Sequence, residues 1–127
     1  MRRHLDPEGA PPPLAKYHHV VAVEGATRLA FISGQLGMHA DGDVPEDVTS
    51  QTEVAFANLD ACLVAAGLTR RDIVRLNVYL TDAEYRRSYM EVRDRWVADP
   101  PPASTLVVVK ALAYPQCKVE IEAIAAA

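Results

Sequence analysis

Two glutamates in the closing run CKVEIEAIA, Glu120 and Glu122, stand two residues apart. On a strand, that spacing sends both carboxylates to one face, roughly 6–7 Å apart along it. A carboxylate on a sheet face inside a cleft acts as a general base or orients a water. The plainer alternative leaves both solvated, or paired with Lys118 and Lys110. A second chemistry-bearing pair, His18 and His19, follows Tyr17 in YHHVVAVEG. Neighbours on a strand face opposite ways, so one imidazole packs while the other lines a pocket beside Tyr17. The remaining histidines, His4 and His39, fall in an arm and a loop, so no metal site is expected. Ser33-Gly34 ends another β-rich run, and Gly34 lets backbone approach a ligand closely. No phosphate-loop or dinucleotide glycine spacing is present, and no nucleophile elbow; Cys62 has no partner for nucleophilic work.

The elements that must position these groups follow from periodicity. Residues 1–14 form a proline-rich arm expected to lie loosely on the surface, and residues 15–127 form one domain. YHHVVAVEG (17–25) and RLAFIS (28–33) flank a short turn at Gly25 and read as a hairpin. Val48, Thr52, Ala55, Leu59, Cys62, Leu63 and Ala66 recur in steps of three and four, one stripe of a helix that Gly67 ends. IVRLNVYLT (73–81) alternates, with Val74, Leu76, Val78 and Leu80 expected to face one way and Arg75, Asn77 and Tyr79 the other. Tyr85, Tyr89, Val92 and Trp96 mark a second helix, stopped at Asp99-Pro100. TLVVVKAL (105–112) is apolar on both faces, as an interior strand would be, and 117–125 forms the last strand. The order ββαβαββ predicts an α+β sandwich, two helices covering one face of a mixed sheet. The other face carries Arg75, Asn77, Glu120 and Glu122 among apolar residues, and such a face often completes itself by oligomerising.

Composition narrows the partners. The chain has 127 residues, half of them hydrophobic, enough for a core without disulfides. Its 13 basic and 17 acidic side chains leave a net charge of −4, which gives no electrostatic reason for nucleic acid or an anionic membrane as partner. Cys62 and Cys117 lie far apart and are expected to stay reduced in a soluble, cytoplasmic protein. No signal peptide or membrane-spanning apolar run is visible.

Taken in order, Tyr17, ISGQ (32–35), AAGL (65–68), IVRLNVYLTD (73–82), PAST (102–105) before a valine-rich strand, and VEIEAIA (119–125) resemble the RidA family. This family is also called YjgF/YER057c/UK114 and is labelled endoribonuclease L-PSP. The resemblance implies a chorismate-mutase-like fold and a homotrimer with small-molecule clefts at its subunit interfaces. It also implies enamine/imine deaminase chemistry, hydrolysis of intermediates such as 2-aminoacrylate to 2-keto acids and ammonia, with no cofactor. In such clefts a glutamate of the last strand handles water, a tyrosine lines the site, backbone at Ser-Gly donates hydrogen bonds, and an arginine clamps the substrate carboxylate. Glu120, Tyr17, Ser33 and Gly34 match residue by residue, and His19, Ser104 and Thr105 are further candidate ligand contacts. The arginine does not match: the deaminases read Pro-Ala-Arg-Ser where this chain reads Pro101-Pro102-Ala103-Ser104, which places Ala103 at the anchor. Tyr89 falls where many members carry asparagine. Loss of a bidentate carboxylate contact costs a few kcal/mol, so the chain is not expected to be an efficient 2-iminoacid deaminase of the usual type. The expectation is a hydrolase or deaminase of a small nitrogenous metabolite, with His19, Arg75 or Asn77 in the missing anchor's role. The alternative is a non-catalytic trimer that binds a small metabolite or a partner at the same clefts.

Overall fold

The computed structural model describes residues 1–127. Eight principal elements follow along the chain: β1 (Arg2–Leu5), β2 (Val20–Val23), β3 (Leu29–Leu36), α1 (Val48–Ala65), β4 (Ile73–Leu80), α2 (Arg86–Trp96), β5 (Ala103–Val108) and β6 (Val119–Ala126). Strands β3-β6-β4-β5 form one mixed sheet in that order; β4 and β5 run parallel and the other neighbours antiparallel. The parallel pair requires a crossover, and α2 supplies it. This is the expected α+β arrangement, two helices packed on a mixed sheet.

Alternation in β4 decides which face is covered. Ile73, Leu76, Val78 and Leu80 are buried beneath the helices, with Val119, Ile121, Ala123 and Ala125 beside them on β6. Val74, expected on that face, is not among the core residues, because the pairing with β6 shifts between Ile73 and Arg75. From α1 come Ala55, Phe56, Leu59 and Leu63, and from α2 Tyr89, Val92 and Trp96. Phe56 stacks on Trp96 with centroids 4.3 Å apart, which locks the two helices together. Asp47 caps α1 by accepting a 2.9 Å hydrogen bond from the Ser50 amide. Gly67 ends the helix at φ +70°, a left-handed conformation that glycine adopts without a Cβ penalty. Gln51, fully buried on α1, ties helix to sheet edge. Its Nε2 donates to the Pro45 and Gln116 carbonyls, and its Oε1 accepts from the Lys118 amide at 2.7 Å.

Three expectations change. The hairpin between 17–25 and 28–33 does not form. Thr27 and Arg28 donate to the Ala127 carbonyl, so the chain leaving β2 is captured by the end of β6, and β3 pairs along β6 instead. The partner of β2 is β1, from the proline-rich arm, in a separate two-stranded sheet. Arg2 fastens that arm by donating to the carbonyls of Ala126 and Arg71. Finally, β5 is an edge strand within this chain, which is why Val107 and Val108 are exposed despite its apolar sequence.

Candidate functional site

The uncovered sheet face carries a chain of hydrogen bonds. Asn77 Nδ2 and the Tyr79 hydroxyl both donate to Glu122 Oε1, at 3.0 and 2.8 Å. Arg75 Nε donates to Asn77 Oδ1 at 2.9 Å, and its Nη2 donates to Thr105 Oγ1 at 2.6 Å. The hydrogen bond to Glu122 is the main reason the Tyr79 phenol titrates above its ordinary value of 10; burial and the charges of both glutamates add to it, while Arg75 opposes it. Glu120 is different. It lies on the same face, across from Tyr79, with no ion pair or hydrogen-bond partner in the chain. Lys118 does not pair with either glutamate: its Nζ donates to the Glu46 carbonyl and sits over the Tyr85 ring.

Ser33 and Gly34 create the space Glu120 occupies. Pairing between β3 and β6 slips between Ile32 and Gln35, so two β3 residues oppose Glu122 alone: a bulge. A Cβ on Gly34 would collide with the Glu120 carboxylate, falling 2.7 Å from its carboxyl carbon. With Glu120 in this position, only glycine fits there. Gly34, Tyr79, Val109, Leu112, Glu120 and Glu122 line a hollow of about 350 Å³, and Ser33 lines an adjoining one with Phe31, Asn77 and Glu122.

The other candidates gather elsewhere. Tyr17, Arg86, Tyr89, Arg93, Ser104 and Leu106 line a cavity of about 100 Å³ between β5 and α2. Thr105 shares the uncovered face with Arg75, so Ser104 and Leu106, one residue to either side, face the helices. Ala103 stands in register with Arg75 and is buried on the uncovered side. Ser104, not Ala103, is thus the β5 residue beside Tyr17, and neither carries a charge. Within one chain the sheet separates the Tyr17 cavity from Glu120 and Gly34.

His19 joins neither hollow. It precedes β2, its ring Nε2 meets the Pro11 carbonyl at 2.6 Å, its amide donates to Asp6 Oδ1, and its ring edge abuts Tyr17. His18 pairs with the other Asp6 oxygen at 2.9 Å. Together these contacts pull the Asp6 carboxyl below its ordinary value, the His19 amide contributing most. Both histidines therefore anchor the arm.

Sequence reasoning missed Arg93. Its side chain is 2% exposed, yet Nη1 has only Asp94 Oδ1 at 3.3 Å and Nη2 has no well-formed hydrogen bond. Tyr89, one turn earlier, has a buried hydroxyl with no well-aligned hydrogen bond; burial drives its phenol far above the ordinary range, and the Arg93 guanidinium beside it opposes that shift. The signal was available: Arg93 follows Tyr89 by four residues on the apolar stripe, an odd place for a charge. A larger depression, about 570 Å³, opens beside Asp60, Arg70 and Trp96, but those groups satisfy one another. No cluster of three or more histidine, cysteine, aspartate or glutamate residues gathers in metal-binding range, and no helix is long and apolar enough to cross a membrane.

The family model described as Endoribonuclease L-PSP matches residues 7–127. A Yersinia pestis structure, YyfB, described as a Rid-family protein of unknown function, superposes with a TM-score of 0.88 at 30% identity, covering 99% of this chain and 98% of that one. TdcF of Escherichia coli is 31% identical over 98% of this chain and 97% of its own, and its name describes a candidate reactive intermediate deaminase. A TdcF structure with bound serine superposes at a TM-score of 0.74 and 30% identity, covering 98% of each chain.

Proposed function

The chain belongs to the RidA (YjgF, endoribonuclease L-PSP) family, and from that premise we propose that it is a hydrolytic deaminase of a small enamine or imine. The observation that carries this reading is Glu120: an unpaired carboxylate held against glycine backbone at a strand bulge, with Tyr79 alongside. An unpaired carboxylate is free to take a proton from water, and the water oxygen then attacks the iminium carbon. An enamine reaches the same iminium by taking a solvent proton at carbon. Return of the first proton to nitrogen, with the carbinol hydroxyl proton passing to Glu120 and then to the departing ammonia, collapses the carbinolamine to a carbonyl and ammonium. Water is the only co-reactant, and the step needs no cofactor.

The division of the candidates between two sheet faces supports an intersubunit site. A homotrimer would set the Glu120 face of one subunit against the Tyr17 cavity of the next, and the exposed Leu29 and Phe31 on β3 favour burial of that face. With Ala103 and Ser104 uncharged, β5 supplies no carboxylate clamp, so hydrolysis requires the substrate to be held by another group.

The test is hydrolysis of 2-aminoacrylate, read as keto-acid release by wild type and Glu120→Gln. The variant is expected to lose on the order of 10²–10⁴ in rate. Wild-type release no faster than the uncatalysed reaction, or full activity in the variant, overturns the reading.

A further inference from the structure

We propose that Arg93 is the carboxylate anchor of this protein, supplied by α2 in place of an arginine on β5. The inference rests on the deaminase reading for its reaction but not for its binding site.

Burying a guanidinium with one weak partner costs several kcal/mol in a finished core. Arg93 is 2% exposed, and its one partner, Asp94, is the adjacent residue, half-buried and 3.3 Å away. Beside it the Tyr89 hydroxyl is buried too, next to the guanidinium and without a well-aligned hydrogen bond. Two such groups lining one cavity mark a place built for an occupant that accepts hydrogen bonds. A carboxylate fits both: one oxygen accepts from Arg93 Nη2 and the other from the Tyr89 hydroxyl. Tyr89 remains a donor at all physiological pH, because burial holds its proton.

Size and charge define the ligand further. The cavity, about 100 Å³, has the volume of about three waters, room for a short-chain acid. Arg86 stands exposed at its rim, and Lys16 lies near enough to reach the Asp94 carbonyl, so the surroundings are net positive. Met90 and Leu106 supply an apolar wall for a short carbon chain. The Ser104 hydroxyl completes a third polar side. The ligand class is therefore a small α-keto, imino or amino acid, bound by its carboxylate.

Calorimetric titration with pyruvate, against methyl pyruvate as the uncharged counterpart, tests the proposal without turnover. Wild type should bind pyruvate and not the ester. Arg93→Met should remain folded and lose about tenfold to hundredfold in pyruvate affinity, the range for a hydrogen-bonded charge. Ser104→Asp leaves Arg93 in place but puts a carboxylate in the cavity; it should raise the melting temperature and abolish pyruvate binding, which keeps the test decisive if Arg93→Met unfolds. Equal binding of acid and ester, no binding by wild type, or unchanged affinity in Arg93→Met or Ser104→Asp overturns the anchor. Arg93-dependent binding without hydrolysis would leave the anchor standing and remove the deaminase reading; hydrolysis indifferent to Arg93→Met would do the reverse.

Discussion

Replacing Gly34 by alanine moves the Glu120 carboxylate without changing its charge. The new Cβ would lie 2.7 Å from the carboxyl carbon and 2.9 Å from Cγ, where carbon atoms ordinarily stand about 3.5–4.0 Å apart. The obstacle is the end of a flexible side chain, so Glu120 retreats by about 1 Å while the backbone stays. Gly34 is not among the residues with positive φ, so alanine meets no backbone strain there. An off-rotamer side chain costs about 1 kcal/mol, or about 4 °C in melting temperature for a chain of this length. A misplacement of that size at a reacting group costs on the order of 10² in rate, about 2.7 kcal/mol in barrier. The assay is kcat/KM for 2-aminoacrylate in wild type, Gly34→Ala, Glu120→Gln and the double variant. If Gly34 acts through Glu120, the double variant is no worse than Glu120→Gln alone. A Gly34→Ala rate within about twofold of wild type, or a further large loss on top of Glu120→Gln, would refute the reasoning.

Gln51→Leu keeps the shape of a buried side chain but strands the Pro45 and Gln116 carbonyls and the Lys118 amide. At about 1 kcal/mol or more per orphaned group, stability should fall by about 3 kcal/mol and the melting temperature by about 10 °C; calorimetry that finds less than a third of that shift contradicts this account of how α1 is tied to the sheet. The Asp6 contacts make attachment of the arm acid-sensitive. Because its folded pKa is depressed, its contribution is complete above the ordinary carboxylate value of 3.8 and disappears as pH falls through the lower folded value. Hydrogen-exchange protection over residues 1–24, taken relative to the intrinsic rate at each pH, should therefore fall in acid in wild type and already be low at neutral pH in Asp6→Asn; an identical pH response in the two proteins refutes the tether.

The helices and β4 were readable from the sequence because their burial is periodic: Leu76, Val78 and Leu80 recur every second residue, and Ala55, Leu59 and Leu63 every fourth. Pairing partners were not readable. Nothing local to Val20–Val23 distinguishes β3 from the distant β1 as its neighbour; the choice depends on Thr27 and Arg28 reaching the Ala127 carbonyl, about a hundred residues away in sequence. The edge position of β5 escaped for the same reason, since an apolar run looks alike in the middle of a sheet and at its margin. At the candidate site, strand parity put Glu120 and Glu122 on one face and Gly34 marked a close approach, but that the approach is to Glu120 depends on the β3–β6 pairing, which was not readable. Arg93 was not readable either, because its meaning lies in what fails to pair with it, and only tertiary structure reports that.

In the proposed trimer the sheet would also divide labour between chains. Arg93 and Glu120 lie on its opposite faces, so a ligand that touches both must touch two subunits. In that trimer each subunit would lend its carboxylate to one neighbour's cavity and receive the other neighbour's carboxylate at its own Arg93. A chain defective in Glu120 and a chain defective in Arg93 would not be equivalent losses. Mixed in one ring, they would rebuild an intact pairing at about one interface in four on random assembly. Neither homogeneous protein could make any. Function in such a protein is a property of neighbours, and an allele dead by itself still carries half of a working site.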